Sequence, residues 1–310
     1  MNKKLSAVII SATLLIPTTA HAALKSEVSI TKPSVAIIDT GLDTSLPIFS
    51  GRIAQEVCIL DWNTCPNGKN FMEGTGASVI PAKFINTNGF DHGTQMASVL
   101  MGSNKDINIV FIRIIGNTDT GARQIVTELA VVNALNWAYK NKDKYNIQAV
   151  TMAQGNHNLL PGTDYCPKTV NTQNQIKNLL SVGIPTFLPA GNVRDYKRID
   201  WPACINESVS VGASTDYDEI PIWSNVDTNK TDFYALGQWE VTLPGNTIKN
   251  AVGTSISVQV AAAQWLEIKK NKPSLSYQQI YDLVSKTSLT IPNPTGLTGK
   301  LINTKAAING

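Results

Sequence analysis

Ser255 is the first residue whose setting could support chemistry. It follows a Gly-Thr pair at 253–254 and opens an apolar run, residues 256–266, that predicts a helix. A serine in the first turn of a helix usually caps it, because backbone N–H groups there lack intrahelical acceptors. The same N–H groups and the positive end of the helix dipole would stabilise an oxyanion. Ser255 is therefore either a cap, which is the commoner case, or a nucleophile.

The histidines decide which base could serve this serine. The chain contains His21, His92 and His157, and no histidine follows residue 255. A mechanism with the α/β-hydrolase order needs its histidine after the serine, so that class is excluded. The other order found on parallel sheets is acid, histidine, serine, and Asp39, His92 and Ser255 supply it. In that arrangement the imidazole takes the serine proton, and the carboxylate holds the imidazole in the required tautomer.

A buried strand and two helices would position these three residues. Residues 35–38 (Val-Ala-Ile-Ile) predict a buried parallel strand with Asp39 at its C-terminal edge, where open α/β sheets place their chemistry. One helix is predicted from 92 to 102 and another from 255 to about 270. The histidine and the serine would each lie at the start of a helix.

Strands and helices alternate along the rest of the chain. Residues 42–90 are expected to be loop-rich, and the predicted helix at 122–142 should bury Ile125, Leu129, Val132 and Trp137. Further strands are predicted at 108–115, 149–152, 184–188 and 208–213, and further helices at 171–181 and 276–286. The alternation predicts an α/β fold with a doubly wound, mostly parallel sheet and helices on both faces.

Four short blocks carry a family resemblance. They are residues 37–41 (Ile-Ile-Asp-Thr-Gly), 91–94 (Asp-His-Gly-Thr), 189–192 (Pro-Ala-Gly-Asn) and 253–255 (Gly-Thr-Ser). In type and order they resemble the signature blocks of the subtilisin-like serine peptidases, the subtilases. The resemblance implies a three-layer peptidase domain, protein or peptide substrates, and hydrolysis through an acyl-enzyme. It assigns catalysis to Asp39, His92 and Ser255, with the Asn192 side chain and the Ser255 backbone N–H as oxyanion donors.

The same resemblance suggests where a peptide would bind. Ala153, Gln154 and Gly155 resemble a substrate-lining strand, in which Gly155 leaves room for the P1 side chain, and Gly121 resembles part of the opposite lining segment. A peptide between two such edges binds by β-augmentation. Gln154 stands where the family commonly has an apolar residue, and Arg123 is expected near the rim. Together they predict a shift toward polar or acidic subsites.

Two Asp-Thr-Gly triplets offer a competing interpretation. They occupy residues 39–41 and 119–121, and such triplets are typical of pepsin-like aspartic peptidases, whose two carboxylates share a proton. The second follows polar residues 117–118 and lies only 80 residues after the first (119 minus 39). The alternating pattern does not fit the all-β aspartic fold. The second triplet instead resembles the glycine-containing segment of the subtilases that lines the substrate, and it is interpreted as that turn.

The block after the serine departs from the subtilase pattern. The family usually continues Met-Ala-x-Pro, whereas this chain has Ile256, Ser257 and Val258. β-Branched residues in a first turn alter its fit. Two alternatives therefore stay open: a catalytically silent module of the same fold that binds extended peptides or a partner protein, and an esterase or transferase using the same acyl chemistry.

The N-terminus predicts export. Residues 1–22 combine a basic start, an apolar stretch and an Ala-x-Ala site, which is typical of a signal peptide cleaved after Ala22. The protein would be secreted or periplasmic, without a membrane anchor, as one domain over residues 23–310. The short stretch before the first strand leaves no room for a pro-domain, so three alternatives stay open: unaided folding, a separate chaperone, or latency until a partner activates the protein. Without Lys3 and Lys4, 24 basic residues face 23 acidic ones, which indicates no nucleic-acid partner.

Four cysteines are present, and export permits disulfides among them. Three connectivities are open, of which we favour Cys58 with Cys65 and Cys166 with Cys204. No C-x-x-C spacing or calcium-loop motif occurs, so no metal and no cofactor are predicted, although calcium is frequent in the family. The acid-bearing loops 195–200 and 216–219 are interpreted as solvated turns, and His157 as a surface or rim residue.

Overall fold

The structure is a computed structural model that describes residues 31–62, 64–81, 84, 89–117, 122–157, 166, 169–293 and 295–310. The predicted signal peptide, the second Asp-Thr-Gly triplet and Gly121 lie outside the described residues. Within the described ranges, no helix is long and apolar enough to cross a membrane.

The described residues contain strands and helices in alternation. The strands are β1 (Ser34–Asp39), β2 (Ile53–Ile59), β3 (Phe71–Glu73), β4 (Asn108–Arg113), β5 (Ile147–Met152), β6 (Thr186–Pro189), β7 (Val209–Ser214), β8 (Phe233–Leu236), β9 (Gln238–Leu243), β10 (Thr247–Val252), β11 (Leu289–Pro292) and β12 (Thr298–Leu301). The helices are α1 (His92–Ser103), α2 (Glu128–Asn141), α3 (Val170–Ser181), α4 (Thr254–Asn271), α5 (Tyr277–Thr287) and α6 (Thr304–Asn309).

Ten strands form one sheet in the order β11-β12-β8-β7-β6-β5-β1-β4-β2-β3. Its pairings are parallel except β2 with β3 and β11 with β12, and β9 and β10 form a separate antiparallel hairpin. β1 is central, with Ile38 opposite Ile112 of β4 and Met152 of β5. The predicted α/β class and mostly parallel sheet are confirmed.

The alternating side chains of β1 enter two different cores. Val35 and Ile37 pack in a cluster with residues of α1 and α4, whereas Ala36 and Ile38 pack in a second cluster with residues of α2 and α3. Because successive strand residues point to opposite faces, one buried strand contributes to both layers. The molecule therefore has three layers, with helices on both faces of the sheet.

α2 is shorter than the predicted helix at 122–142. It begins after Thr127, whose hydroxyl caps the helix by accepting from Ala130 N at 3.2 Å. Ile125 lies before the helix and is 86% exposed, and Leu129 is 59% exposed, so the predicted inner face is wrong at these two positions, whereas Trp137 is buried as predicted. The chain buries a neighbouring face consisting of Ala130, Val131, Ala134, Leu135, Trp137 and Ala138.

The loop-rich prediction for residues 42–90 missed β2. This strand carries Glu56, a residue that normally argues against a buried strand. Glu56 is nevertheless buried, and its Oε2 accepts from Ser78 N at 3.2 Å and Ser78 Oγ at 2.7 Å. A buried carboxylate is tolerated when it is hydrogen-bonded, so the strand continues through this position.

α4 is regular from its first residue, although its sequence departs from the subtilase pattern. Ile256 and Val258 are fully buried against the sheet, so their β-branched side chains add to the core rather than distort the helix start. Two polar neighbours are less well accommodated: Ser257 Oγ and Gln259 Nε2 are buried with no hydrogen-bond partner among the described residues. Each such group costs stability.

Candidate active site

Asp39 and His92 form a close pair at the C-terminal end of β1. Asp39 is fully buried, and its Oδ1 lies 2.8 Å from His92 Nδ1, while Oδ2 lies 3.0 Å from the same nitrogen. Thr40 N also donates to Oδ1, at 2.7 Å. A carboxylate at Nδ1 favours the tautomer that carries its proton there. The His92 Nε2 atom is then left with a free lone pair, as a general base requires.

The start of α1 is held tightly against the turn after β1. Thr40 Oγ1 donates to Phe90 O at 2.9 Å and accepts from Gly93 N at 2.9 Å. A Cβ atom on Gly93 would lie 2.4 Å from Gly41 O and 2.6 Å from the Phe111 ring. Only glycine therefore permits this approach, which brings the neighbouring His92 to Asp39.

Ser255 lies in the first turn of α4, beside the end of β5. Its Oγ donates to Ala153 O at 3.3 Å, and no hydrogen bond joins Ser255 to His92 among the described residues. Ala153 is followed by Gln154, whose Nε2 lies 3.2 Å from His92 Nδ1. Ser255 and His92 therefore contact adjacent residues of one segment, without contacting each other directly.

Asn192 is attached to the start of α4 through its side-chain oxygen. Oδ1 accepts from Thr254 N at 2.9 Å and from Thr254 Oγ1 at 3.0 Å, and Gly191 N donates to that hydroxyl oxygen at 3.2 Å. The amide nitrogen Nδ2 has no acceptor among the described residues. Like the Ser255 N–H, which belongs to the unpaired first turn of the helix, it is available as a donor.

Gln154 faces the Asp39–His92 pair rather than an open cleft. It is 5% exposed, and its Nε2 donates to Asp39 Oδ1 at 2.9 Å. The Arg123 guanidinium in turn donates to Gln154 Oε1. Burial lowers the pKa of Arg123, and the negative charge of Asp39 opposes that shift. Gln154 therefore does not supply the predicted polar subsite, because its polar atoms are hydrogen-bonded inside the protein.

Gly155 is exposed, but part of its surroundings is already filled. A Cβ atom there would lie 3.0 Å from Trp201 O and 3.3 Å from Asp200 Cβ. The next residue, Asn156, pairs with Trp201 through two backbone hydrogen bonds of 2.9 and 3.2 Å. Glycine thus eases the close passage of residue 155 over the backbone of residues 200–201, whether or not a substrate side chain binds beside it.

A second histidine–carboxylate cluster was not anticipated from the sequence. His157 Nδ1 lies 2.8 Å from Asp200 Oδ1, and Nε2 lies 3.5 Å from Asp195 Oδ2. Asn225 Nδ2 also donates to Asp200 Oδ1, at 3.1 Å. Burial raises the pKa of Asp200, although the hydrogen bond from His157 opposes the shift. The loop 195–200 is therefore not simply a solvated turn, whereas residues 216–219 are exposed as predicted.

This cluster packs directly behind the residue that precedes Asn192. Gly191 has a φ of 110°, and a Cβ atom there would lie 2.3 Å from Asn225 Nδ2 and 2.4 Å from Asp200 Oδ1. A side chain would clash here, and non-glycine residues rarely adopt this φ. The only sequence signal was the Gly-Asn pair itself, because nothing in the sequence links His157 to residues 200 and 225.

The structure contains two disulfides, Cys58–Cys65 and Cys166–Cys204, with Cα–Cα distances of 5.9 and 5.7 Å. In the part of the chain that the structure describes, no group of three or more His, Cys, Asp or Glu side chains is arranged to hold a metal ion.

Two known proteins show what this chain is similar to in sequence. Subtilisin NAT of Bacillus subtilis subsp. natto is 25% identical over 291 residues, which cover 88% of this chain and 65% of the relative. The subtilisin-like serine protease Pen ch 13.0101 of Penicillium rubens is 27% identical over 275 residues, which cover 86% of this chain. The chain spans only 65% and 59% of the lengths of these relatives.

Solved structures and a family profile complete the comparison. A protease from Pseudoalteromonas arctica superposes with a TM-score of 0.70 at 20% identity, over 89% of each chain. A cold-adapted subtilisin-like serine proteinase superposes with a TM-score of 0.65 at 21% identity, over 94% of each chain. These neighbours share the fold. The profile of the subtilase family matches residues 31–308, and the chain therefore belongs to the subtilase family.

Proposed function

We propose that this subtilase is an exported serine endopeptidase that hydrolyses peptide bonds through an acyl-enzyme. The observation that carries the proposal is the fully buried Asp39 carboxylate 2.8 Å from His92 Nδ1, with Ser255 in the first turn of the neighbouring helix α4. This arrangement gives the imidazole the tautomer and the electrostatic partner that a general base needs.

Acylation would begin with the peptide carbonyl beside Ser255. As Oγ bonds to the carbonyl carbon, His92 Nε2 takes the hydroxyl proton, and the carbonyl electron pair moves onto oxygen. Asn192 Nδ2 and the Ser255 N–H would donate to that oxyanion. Collapse of the intermediate breaks the C–N bond, and His92 returns the proton to the departing amine. Water then attacks the acyl-enzyme by the same sequence, releasing the acid and free Ser255.

Ser255 must turn before this sequence begins, since its Oγ donates to Ala153 O. That bond, at 3.3 Å, is longer than the usual O–H···O distance, so it holds the hydroxyl weakly. Rotation about one side-chain bond would release it, and catalytic hydrogen bonds often form only when substrate is bound. This geometry is therefore compatible with an active enzyme.

The proposed substrate class and the proposed compartment rest on two other features. Ala153 presents its backbone oxygen beside Ser255, and an extended peptide would add along residues 153–155 as a strand. Export is supported by the predicted signal peptide and by the two disulfides, since no described cysteine is free. Disulfides persist in oxidising compartments and are rare in the cytosol.

A fluorophosphonate tests the proposed nucleophile, because it reacts covalently with activated serines. Protein beginning at Ala23 would be labelled, and the modified residue would be located by mass spectrometry. We expect labelling at Ser255, and loss of labelling in both Ser255→Ala and His92→Ala. Protein that is labelled at Ser255 should also cleave members of a peptide library.

Two results would contradict this function. A folded protein that shows no labelling would be a silent peptide-binding module. Labelling at Ser255 accompanied by acyl transfer faster than peptide hydrolysis would identify a transferase or esterase.

A further inference from the structure

We infer that Gln154 and Arg123 are positioning residues that hold the Asp39–His92 pair in its reactive geometry. The inference rests on the proposed function, since it concerns how that base is oriented. Gln154 lies between the guanidinium of Arg123 and the carboxylate of Asp39, and it contacts both.

The first support is the coordination of one carboxylate oxygen. Asp39 Oδ1 accepts from Thr40 N at 2.7 Å, from His92 Nδ1 at 2.8 Å and from Gln154 Nε2 at 2.9 Å. An Asp side chain with a single partner can rotate about its terminal bond, which is broad and roughly two-fold. Three donors, from the turn after β1, from α1 and from the segment after β5, fix that rotation. The plane of the carboxylate then fixes the orientation of the imidazole.

The second support is the orientation of the Gln154 amide. Its oxygen and nitrogen could exchange places by a flip of the side chain. In the flipped state Oε1 would face the Asp39 carboxylate and Nε2 would face the Arg123 guanidinium, so both contacts would be repulsive. Arg123 therefore selects the orientation in which Gln154 donates to Asp39.

The third support is the burial of the charges involved. Asp39 is fully buried, and a buried carboxylate needs hydrogen bonds that offset its lost hydration. The amide of Gln154 supplies one such bond. Through Oε1 the amide is polarised by the positive charge of Arg123, which strengthens its N–H as a donor.

The test compares variants that remove each part of this chain of contacts. Gln154→Met keeps the length of the side chain but cannot donate to Asp39, and Gln154→Leu removes the donor with a shorter side chain. Arg123→Met removes the charge that orients the amide, whereas Arg123→Lys retains a cation that can donate to Oε1. The matched controls are Gln148→Leu, at the opposite end of β5, and Arg198→Met, which contacts Asp195 instead.

Two readouts separate positioning from substrate contact. The rate of fluorophosphonate labelling at Ser255 reports activation of the nucleophile without an extended peptide. Peptide hydrolysis gives kcat and KM separately. We expect Gln154→Met, Gln154→Leu and Arg123→Met to lower both the labelling rate and kcat by about 10- to 100-fold, the effect of losing a hydrogen bond to a charged group. KM should change less than about two-fold, Arg123→Lys should recover most of the rate, and the controls should match wild type.

The same variants distinguish a loss of positioning from a loss of folding. Thermal unfolding of each variant shows whether it is folded at the assay temperature, and Gln154→Met is the variant expected to pack best. Wild-type labelling together with an unchanged labelling rate in folded Gln154→Met would overturn the inference and leave the proposed function intact. An effect on KM alone would also overturn it, because it would make Gln154 a substrate contact. If wild type itself were not labelled, the proposed function would fail first.

Discussion

Asn192 has two chemically distinct ends, and the structure gives them different surroundings. Its Oδ1 accepts twice from Thr254, while its Nδ2 has no acceptor among the described residues. The oxygen therefore contributes to the structure of the α4 start, and the nitrogen is available for an oxyanion. A substitution that changes only the nitrogen separates the two roles.

Asn192→Asp is that substitution. The aspartate can still accept from Thr254, but it cannot donate, and its charge would repel an oxyanion. We expect kcat to fall at least as far as in Asn192→Ala, by about 10²- to 10³-fold, with KM changed little. Steady-state hydrolysis of a peptide substrate measures both parameters. Asn178→Ala, on the exposed face of α3, is the control. Normal kcat in Asn192→Asp would exclude Nδ2 as the oxyanion donor.

At this scale the sequence was informative about residue types and uninformative about contacts. Asp39, His92 and Ser255 could be proposed because their chemistry and chain order are visible in the sequence. Gln154 meets Asp39 across 115 positions, and His157 meets Asp200 across 43. Such contacts depend on where long side chains end, and neither spacing nor periodicity encodes that position.

Several elements were predicted close to their observed bounds, both buried ones such as β1 and α4 and a largely accessible one, α5. β1, α1 and α4 appear within a few residues of their predicted bounds. An apolar run that is bounded by a glycine turn or by a helix-start residue has few alternative structures. β2 was missed because a hydrogen-bonded glutamate interrupts its apolar pattern. α2 was overextended because Ile125 fits a helical period, although the Thr127 cap starts the helix after it.

The two disulfides should stabilise the elements they join to different extents. Cys166–Cys204 closes a separation of 38 residues and Cys58–Cys65 one of 7. The chain-entropy relation gives about 4 kcal/mol for the first and about 2 kcal/mol for the second. We expect the unfolding free energy to fall more in Cys166→Ala/Cys204→Ala than in Cys58→Ala/Cys65→Ala, as measured by urea denaturation. Alanine avoids placing a hydroxyl at the buried Cys204 and Cys58 positions. An equal or reversed loss would contradict the entropic account.

For the whole molecule, the candidate site exists only when several layers are assembled. Asp39 comes from the central strand, and His92 and Ser255 come from the first turns of α1 and α4, which pack in the same core. Asn192 and Gln154 follow β6 and β5, the strands on one side of β1. Because the parallel strands end at one edge, folding of the sheet brings these distant residues together. Loss of activity and loss of the sheet should therefore coincide on denaturation.

Asp232 connects the far half of the sheet to its covering helix, and its burial predicts a pH dependence of stability. Its carboxylate accepts from Ser210 N and Ser210 Oγ of β7, both at 2.7 Å, and from Tyr281 OH of α5 at 2.6 Å. Burial nevertheless raises the pKa of Asp232 above its ordinary value. The folded protein therefore takes up a proton there at higher pH than the unfolded chain does, and ionisation of Asp232 opposes folding.

Asp232→Asn removes this titration with almost no change of shape. We expect the unfolding free energy of wild type, relative to Asp232→Asn, to increase as pH falls through the raised pKa of Asp232, and to level off below the pKa of an unfolded aspartate. Urea denaturation of both proteins between pH 7 and about pH 3.5, near the ordinary aspartate value, measures the difference. Asp282→Asn, at an exposed position on α5, the helix that Asp232 contacts through Tyr281, controls for the removal of one carboxylate. If wild type instead lost stability relative to Asp232→Asn as pH fell, the three hydrogen bonds would outweigh burial, and the ionised carboxylate would be the stabilising form.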